Sequence, residues 1–188
     1  MADAGYRPYG GLDVILQADA IRPPLTGIGR YAAELAKGLR EHADVSRLRY
    51  FGLTSWIEDP LRDLCACHPA GQEGAGQESS QAWKSLIRAR LASNRLAVRA
   101  FGRIGPPLAG WRLRRESESV YHSPNFLLPP VPGRTVATIH DLSHELFPQF
   151  HPAARVEYMR RAMPNALRRA THLLTDAESV RQAGIQCY

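Results

Sequence analysis

Hydrophobic and polar positions change period several times along this chain, and each change marks an element. Residues 12–17, Leu-Asp-Val-Ile-Leu-Gln, form an apolar run of strand length. Arg22-Pro23-Pro24-Leu25-Thr26 follows, where paired prolines exclude helix. Over residues 28–41, Ile28, Tyr31, Ala32, Leu35 and Leu39 recur at helical spacing and predict an amphipathic helix. Residues 48–53 read as a second strand, which completes a parallel, right-handed strand-helix-strand unit.

The stretch 67–80 is Gly-rich and polar, and reads as a flexible loop rather than a linker, since neither side of it is yet a complete core. From residue 81 to about 103 the pattern predicts a long helix, with Trp83, Ile87, Leu91, Val98 and Phe101 on one face. Gly105-Pro106-Pro107 should end it. Short strands are expected at 119–121, 134–139 and 171–175, and the prolines of residues 122–133 make that interval a loop. Helix is expected over 152–170, kinked or divided at Pro164, and again from residue 176 onward. No internal repeat is present. Alternation of this kind predicts an α/β fold, a Rossmann-like parallel sheet with helices on both faces, over residues 12–188, preceded by a loosely held or disordered 1–11.

Composition changes this picture little, and charge changes it more. At 188 residues with 44% hydrophobic and 22% charged residues, the chain has the makeup of a soluble globular protein with one core. No apolar run approaches the roughly 18 residues that a spanning helix needs, and the start has no apolar signal core, so the expected location is cytoplasmic. Cys65, Cys67 and Cys187 form no even-numbered framework, which agrees with a reducing compartment. The formal charge of +6 is concentrated in residues 79–115, which hold nine Lys or Arg and no Asp or Glu. Within it Lys84, Arg88, Arg95 and Arg99 make a basic stripe beside the apolar face. That stripe is either a solvated helix face or a surface for anionic lipid, where each basic residue contributes about 1 kcal/mol. No nucleic-acid motif accompanies the charge.

Two stretches carry candidate chemistry. Gly27-Ile28-Gly29-Arg30-Tyr31-Ala32 formally matches G-x-G-x-x-A at a helix start, where unpaired N–H groups and the helix dipole attract phosphate. The ten-residue separation from Gln17 to Gly27 and the lack of an acid ending the second strand argue against a dinucleotide fold. Phosphate binding of another kind and a structural glycine loop both stay open. The second stretch, Thr138-Ile139-His140-Asp141-Leu142-Ser143-His144, follows the strand 134–139 and lies at the carboxyl edge of a parallel sheet, where ligands bind. His140 and Asp141 with His122, His144 and His151 could ligate a metal, but no pair fits a helix-borne ligand motif. Alternatively His140 satisfies loop carbonyls, or faces sugar or phosphate groups.

Four motifs in order, Thr26-Gly27-Ile28-Gly29-Arg30-Tyr31, Tyr121-His122-Ser123-Pro124-Asn125, Thr138-Ile139-His140-Asp141-Leu142 and Thr175-Asp176-Ala177-Glu178-Ser179, resemble the amino-terminal domain of family 4 glycosyltransferases. More narrowly they resemble bacterial mannosyl- and rhamnosyltransferases of O-antigen and other surface polysaccharides. The resemblance implies the GT-B architecture of two facing Rossmann-like domains, and transfer of a hexosyl group from a nucleotide-diphosphate sugar with retention, without metal or other cofactor. It implies that Gly27, Ile28, Gly29 and Arg30 approach the donor phosphates. His140 would lie against the donor sugar with Asp141 beside it as the catalytic positions, and His122, Ser123, Asn125 and Asp176 would line the cleft toward the acceptor. Its implied partners are the nucleotide sugar, a lipid-linked or oligosaccharide acceptor and a second domain; the basic stripe adds an anionic membrane surface on the inner face of the plasma membrane as one option beside a solvated face, and no nucleic acid is expected.

The family usually has a serine where this chain has Asp176, and its paired glutamates, which belong to the second domain, are not among the 188 residues. The expectation is therefore a truncated transferase domain of low activity alone, because part of the stabilisation of the leaving diphosphate comes from that second domain. The rival expectation is a non-catalytic module that holds a partner protein or an anionic membrane surface.

Overall fold

The computed structural model describes residues 11–66 and 95–188. Leu12–Gln17 (β1) leads to Gly27–Glu41 (α1), Val45–Phe51 (β2), Trp56–Ile57 (β3) and Pro60–Ala66 (α2). Arg95–Leu113 (α3), Val120–Ser123 (β4) and Arg134–Ile139 (β5) follow, then the short helix Ser143–Leu146 (α4) and a 3-10 turn, Pro148–Phe150. Ala153–Arg169 (α5), His172–Thr175 (β6) and Glu178–Cys187 (α6) complete the chain.

The six strands make one sheet in the order β3-β2-β1-β4-β5-β6, parallel throughout except for β3, which runs antiparallel to β2. This is the Rossmann-like α/β sheet expected from the pattern. Alternation along the strands assigns the two faces. Leu16 and Tyr50 pack with Ala32, Ala33, Ala36 and Leu61, so α1 and α2 cover one face. Ile15, Phe51 and Tyr121 pack with Ala109, Leu113 and Ala166, so α3 and α5 cover the other. Central strands buried on both sides need the near-continuous apolar sequence that β1 has.

Charge closes the amino edge. Arg49 of β2 donates to Asp13 Oδ2 (2.9 Å), Glu116 Oε2 (2.6 Å) and Ser119 Oγ (2.9 Å), and its guanidinium lies 5.0 Å from the Trp56 ring centre. One side chain thus joins β1, β2, β3 and the connection from α3 to β4.

Several expectations are corrected. Helix α3 does not stop at Gly105-Pro106-Pro107 but continues to Leu113. Each proline removes one helical hydrogen bond and crowds the carbonyl four residues back, at about 3 kcal/mol or more in a helix interior. Burial of Ala109 and Leu113 against Ile15, Phe51 and Tyr121, together with a bond from Arg112 to the Thr54 carbonyl, holds the last two turns in place. Helix α5 likewise is not divided at Pro164, because Met163 and Ala166 on either side of it are buried in the cores. Strand β3 and helices α2 and α4 had no predicted counterpart, being too short to carry a period. The expected loose terminus up to residue 10, the loop 67–80 and the helix start from 81 to 94, including Lys84 and Arg88, lie outside the described residues, while Arg95 and Arg99 belong to α3.

Candidate functional site

The carboxyl edge of the sheet gathers side chains from four elements. Strand β4 places His122 on the α1 side and Ser123 on the α3/α5 side, while β5 ends at Ile139 and delivers His140 into the loop. Helix α1 passes over this edge. Its Tyr31 ring meets the His140 ring edge to face, centres 4.8 Å apart, and its hydroxyl lies 3.3 Å from Thr138 Oγ1. The first turn of α1 lies one turn, about 5.4 Å, before Tyr31, so the glycine loop and the His140 loop are neighbours.

Thr26 caps α1, accepting from the Gly29 N–H at 3.1 Å. The two glycines of this start differ. A Cβ on Gly29 would meet the Ala20 carbonyl oxygen at 2.5 Å, so glycine is needed there for close approach of the helix to the preceding loop. A Cβ on Gly27 would meet nothing within 4 Å. Gly27, Ile28 and Arg30 therefore differ in what they can offer. The N–H groups of Gly27 and Ile28 belong to the orphan donors of a helix start, whereas the Arg30 N–H is already bonded to the Thr26 carbonyl at 2.9 Å.

His140 is held at both ring nitrogens. Nδ1 lies 2.5 Å from Asp176 Oδ2 and Nε2 lies 2.9 Å from the Pro124 carbonyl. The residue that departs from the usual serine thus fixes the His140 ring, 36 positions away in sequence. Asp141 is exposed and accepts from the Ser143 N–H at 2.9 Å and the Ser143 hydroxyl at 2.6 Å, starting α4. Partial burial would raise its carboxyl, but the two bonds from Ser143 outweigh that and hold it below the usual range. The Ser143 hydroxyl also meets His151 Nε2 at 2.8 Å. Because that hydroxyl donates to Asp141, His151 serves as donor rather than as base.

The structure separates the expected cleft residues into two groups. Asn125 and Asp176 are partly or fully exposed, as is Asp141. His122 and Ser123 are buried and support the edge from inside. His122 Nε2 meets Thr138 Oγ1 at 3.2 Å, and Ser123 Oγ lies 2.7 Å from Gln17 Oε1 and 2.5 Å from the Asn125 carbonyl. Burial pushes the His122 pKa down to about 4, so it is neutral at pH 7. Tyr31 and Gln17 were not singled out from sequence as site residues. Gln17 carries a signal that could have found it, being an amide that directly follows the apolar run Val14-Ile15-Leu16 at the strand's end. Among the described residues no three His, Cys, Asp or Glu are grouped to hold a metal, and no helix is long and apolar enough to cross a membrane.

The resemblance read from the four motifs is borne out over nearly the whole chain. The chain is 31% identical over 177 residues, 94% of its length, to "O-antigen chain mannosyltransferase B" of Escherichia coli, and spans 44% of that protein. No family model matches, and no solved structure is a significant match.

Proposed function

We propose, from the relationship of this chain to an O-antigen mannosyltransferase, that it forms one wall of the site of a glycosyltransferase moving a mannose-like hexosyl group from a nucleotide-diphosphate sugar to a polysaccharide acceptor. In this reading a second domain supplies the facing wall. The observation that carries the reading is the approach of α1 to His140, documented by the 4.8 Å contact of the Tyr31 and His140 rings.

In this reading the donor diphosphate sits at the start of α1, where the N–H groups of Gly27 and Ile28 and the dipole meet its charge. Arg30, exposed one turn in, adds a cation on the same side. The hexosyl ring lies against His140, whose orientation is fixed by Asp176 and the Pro124 carbonyl. Bond breaking at the anomeric carbon moves negative charge onto the diphosphate, so groups preorganised there lower the barrier. The acceptor hydroxyl enters on the face the diphosphate leaves, giving retention, and its proton passes to a phosphate oxygen. No protein base and no metal are invoked. Asp141, held ionised by Ser143, and Asn125 lie on the acceptor side. We place the protein on the cytoplasmic face of the membrane, where nucleotide sugars are available.

The test is an NMR titration of the 188-residue chain with GDP-mannose and UDP-glucose, read at the Gly27 amide and the His140 ring. We expect saturable shifts at both positions with at least one donor, and transfer of labelled mannose once a second domain is joined to the chain. Absence of any shift at millimolar donor would overturn the reading. With the second domain joined, His140→Ala should lower turnover at least tenfold without changing the melting temperature.

A further inference from the structure

On the opposite face of the sheet from Tyr31 and His140 lies a cleft of about 470 Å³, between α3, α5 and the loop after β4. Its size falls in the range of small-ligand sites. Its floor is Tyr121, and its upper end reaches Gln17 at the carboxyl edge. Most of the remaining wall is apolar, including Leu53, Pro106, Leu127 and Pro129.

Three features say what this space is shaped to hold. The first is charge. Arg103, Arg161 and Arg169 border the cleft against a single carboxylate, Glu157, which is paired with Arg161 at 2.7 Å. The second is two phenols. Tyr121, 3% exposed, and the half-buried Tyr158, whose ring packs on Gly102 of α3, both line the cleft with their phenols. A phenol hydroxyl in such a wall donates readily to an anionic oxygen. The third is the scarcity of free acceptors. Hydroxyl-rich ligands need carboxylates and amides to receive their protons, and here Glu157 and Asn165 are already engaged, the latter with the Arg161 carbonyl and the Arg168 side chain.

We infer that this cleft binds a single apolar chain ending in a phosphate or diphosphate, the chain lying on Leu127, Pro129 and Pro106 and the anion meeting the arginines and the tyrosine hydroxyls. That such a ligand is the carrier end of the acceptor rests on the transferase reading above; the chemistry of the cleft does not. Gln17, on the same face as the cleft, brings its upper end to the carboxyl edge, where its carbonyl receives the Ser123 hydroxyl.

The experiment is calorimetric titration of the 188-residue chain below the micellar concentration of each probe. The probes are hexyl, octyl and decyl phosphate, farnesyl diphosphate, octyl glucoside, dihexanoyl phosphatidate and inorganic phosphate. We expect affinity to rise with chain length toward a limit of about fourfold per methylene until the cleft is full. Octyl phosphate should bind at least tenfold more tightly than octyl glucoside, farnesyl diphosphate should bind, and inorganic phosphate should not. Arg103→Gln should weaken the phosphates and leave octyl glucoside unchanged. Ala162→Trp, which fills the cleft from α5, should abolish binding; if that variant fails to fold by circular dichroism, the Arg103 comparison decides. Preference for the glucoside, equal binding of the two-chained phosphatidate, or no dependence on chain length would overturn the inference. A chain that binds these amphiphiles but shows no donor shifts or transfer would keep this inference and remove the transferase reading, and the reverse result would do the opposite.

Discussion

Gly27 and Gly29, two residues apart at the start of α1, should respond to substitution in opposite ways. At Gly29 an added Cβ meets the Ala20 carbonyl oxygen at 2.5 Å and Leu25 Cδ2 at 3.2 Å, and the first of these is backbone that can yield only by moving the loop. Such overpacking costs about 1–3 kcal/mol, offset by up to ~1 kcal/mol of helix propensity gained over glycine. Gly29→Ala should therefore lose about 1–2 kcal/mol, a fall in melting temperature of roughly 2–8 °C for a chain of this size. At Gly27 the space is open, so Gly27→Asp meets no clash and puts a carboxylate at the positive end of the helix, a gain of about 0.3–1 kcal/mol. The same carboxylate repels a donor diphosphate. At ~6 Å and the dielectric of water each unit charge contributes ~0.7 kcal/mol, so two charges weaken binding about tenfold. Thermal melts and donor titrations of both variants at low salt measure all four quantities. A Gly27→Asp chain that is more stable and binds donor as tightly as the parent would refute phosphate binding at this helix start and leave the glycine loop a structural feature.

Acid stability should fall in two windows. His122 has its pKa pushed down to about 4 against an ordinary 6.5, so as pH drops through that interval the unfolded chain takes a proton that the folded chain refuses. At about 1.4 kcal/mol per pH unit this amounts to roughly 3 kcal/mol lost between pH 6.5 and 4, and urea melts of the parent against His122→Gln should show the slope shrink in the variant. Glu116, held below the ordinary carboxylate range by its bond from Arg49, acts in the lower window, where stability present above its unfolded pKa is lost as pH falls through the folded one. Arg49→Met should cost about 2–3 kcal/mol by stranding Asp13 and Glu116, measured by the urea midpoint, and Arg49→Lys should recover only part of it. Asp176→Ala should release the His140 ring, seen as lost or averaged His140 Nδ1–H signals with little change in melting temperature; an unchanged ring signal would mean that the Pro124 carbonyl alone fixes it.

Much of the architecture was legible because periodicity is a local property. The apolar run of β1, the helical spacing of Ile28, Tyr31, Ala32 and Leu35, and the glycine-bearing start of α1 each encode which side faces a core, and the sheet followed from their alternation. Local rules failed where burial overrode them, as at Pro106 and Pro107, where Ala109 and Leu113 supply contacts that outweigh two lost helix bonds. The candidate site was legible as a set of motifs but not as an arrangement. His122 and Ser123 carry polar side chains that suit a cleft, yet the register of β4 between β1 and β5 turns them inward onto Thr138 and Gln17.

The sequence by itself determined the alternation of the longer strands and helices, the basic segment and the residues that the carboxyl edge can draw on, since these depend on side chains within one or two turns of each other. Only the tertiary structure decided that Asp176 orients His140, that Tyr31 joins the glycine loop to it, and that an apolar cleft bordered by arginines and tyrosines lies on the other face. Those facts depend on contacts between residues 36 to 109 positions apart, and on how two helices cross a twisted sheet, which no local pattern specifies.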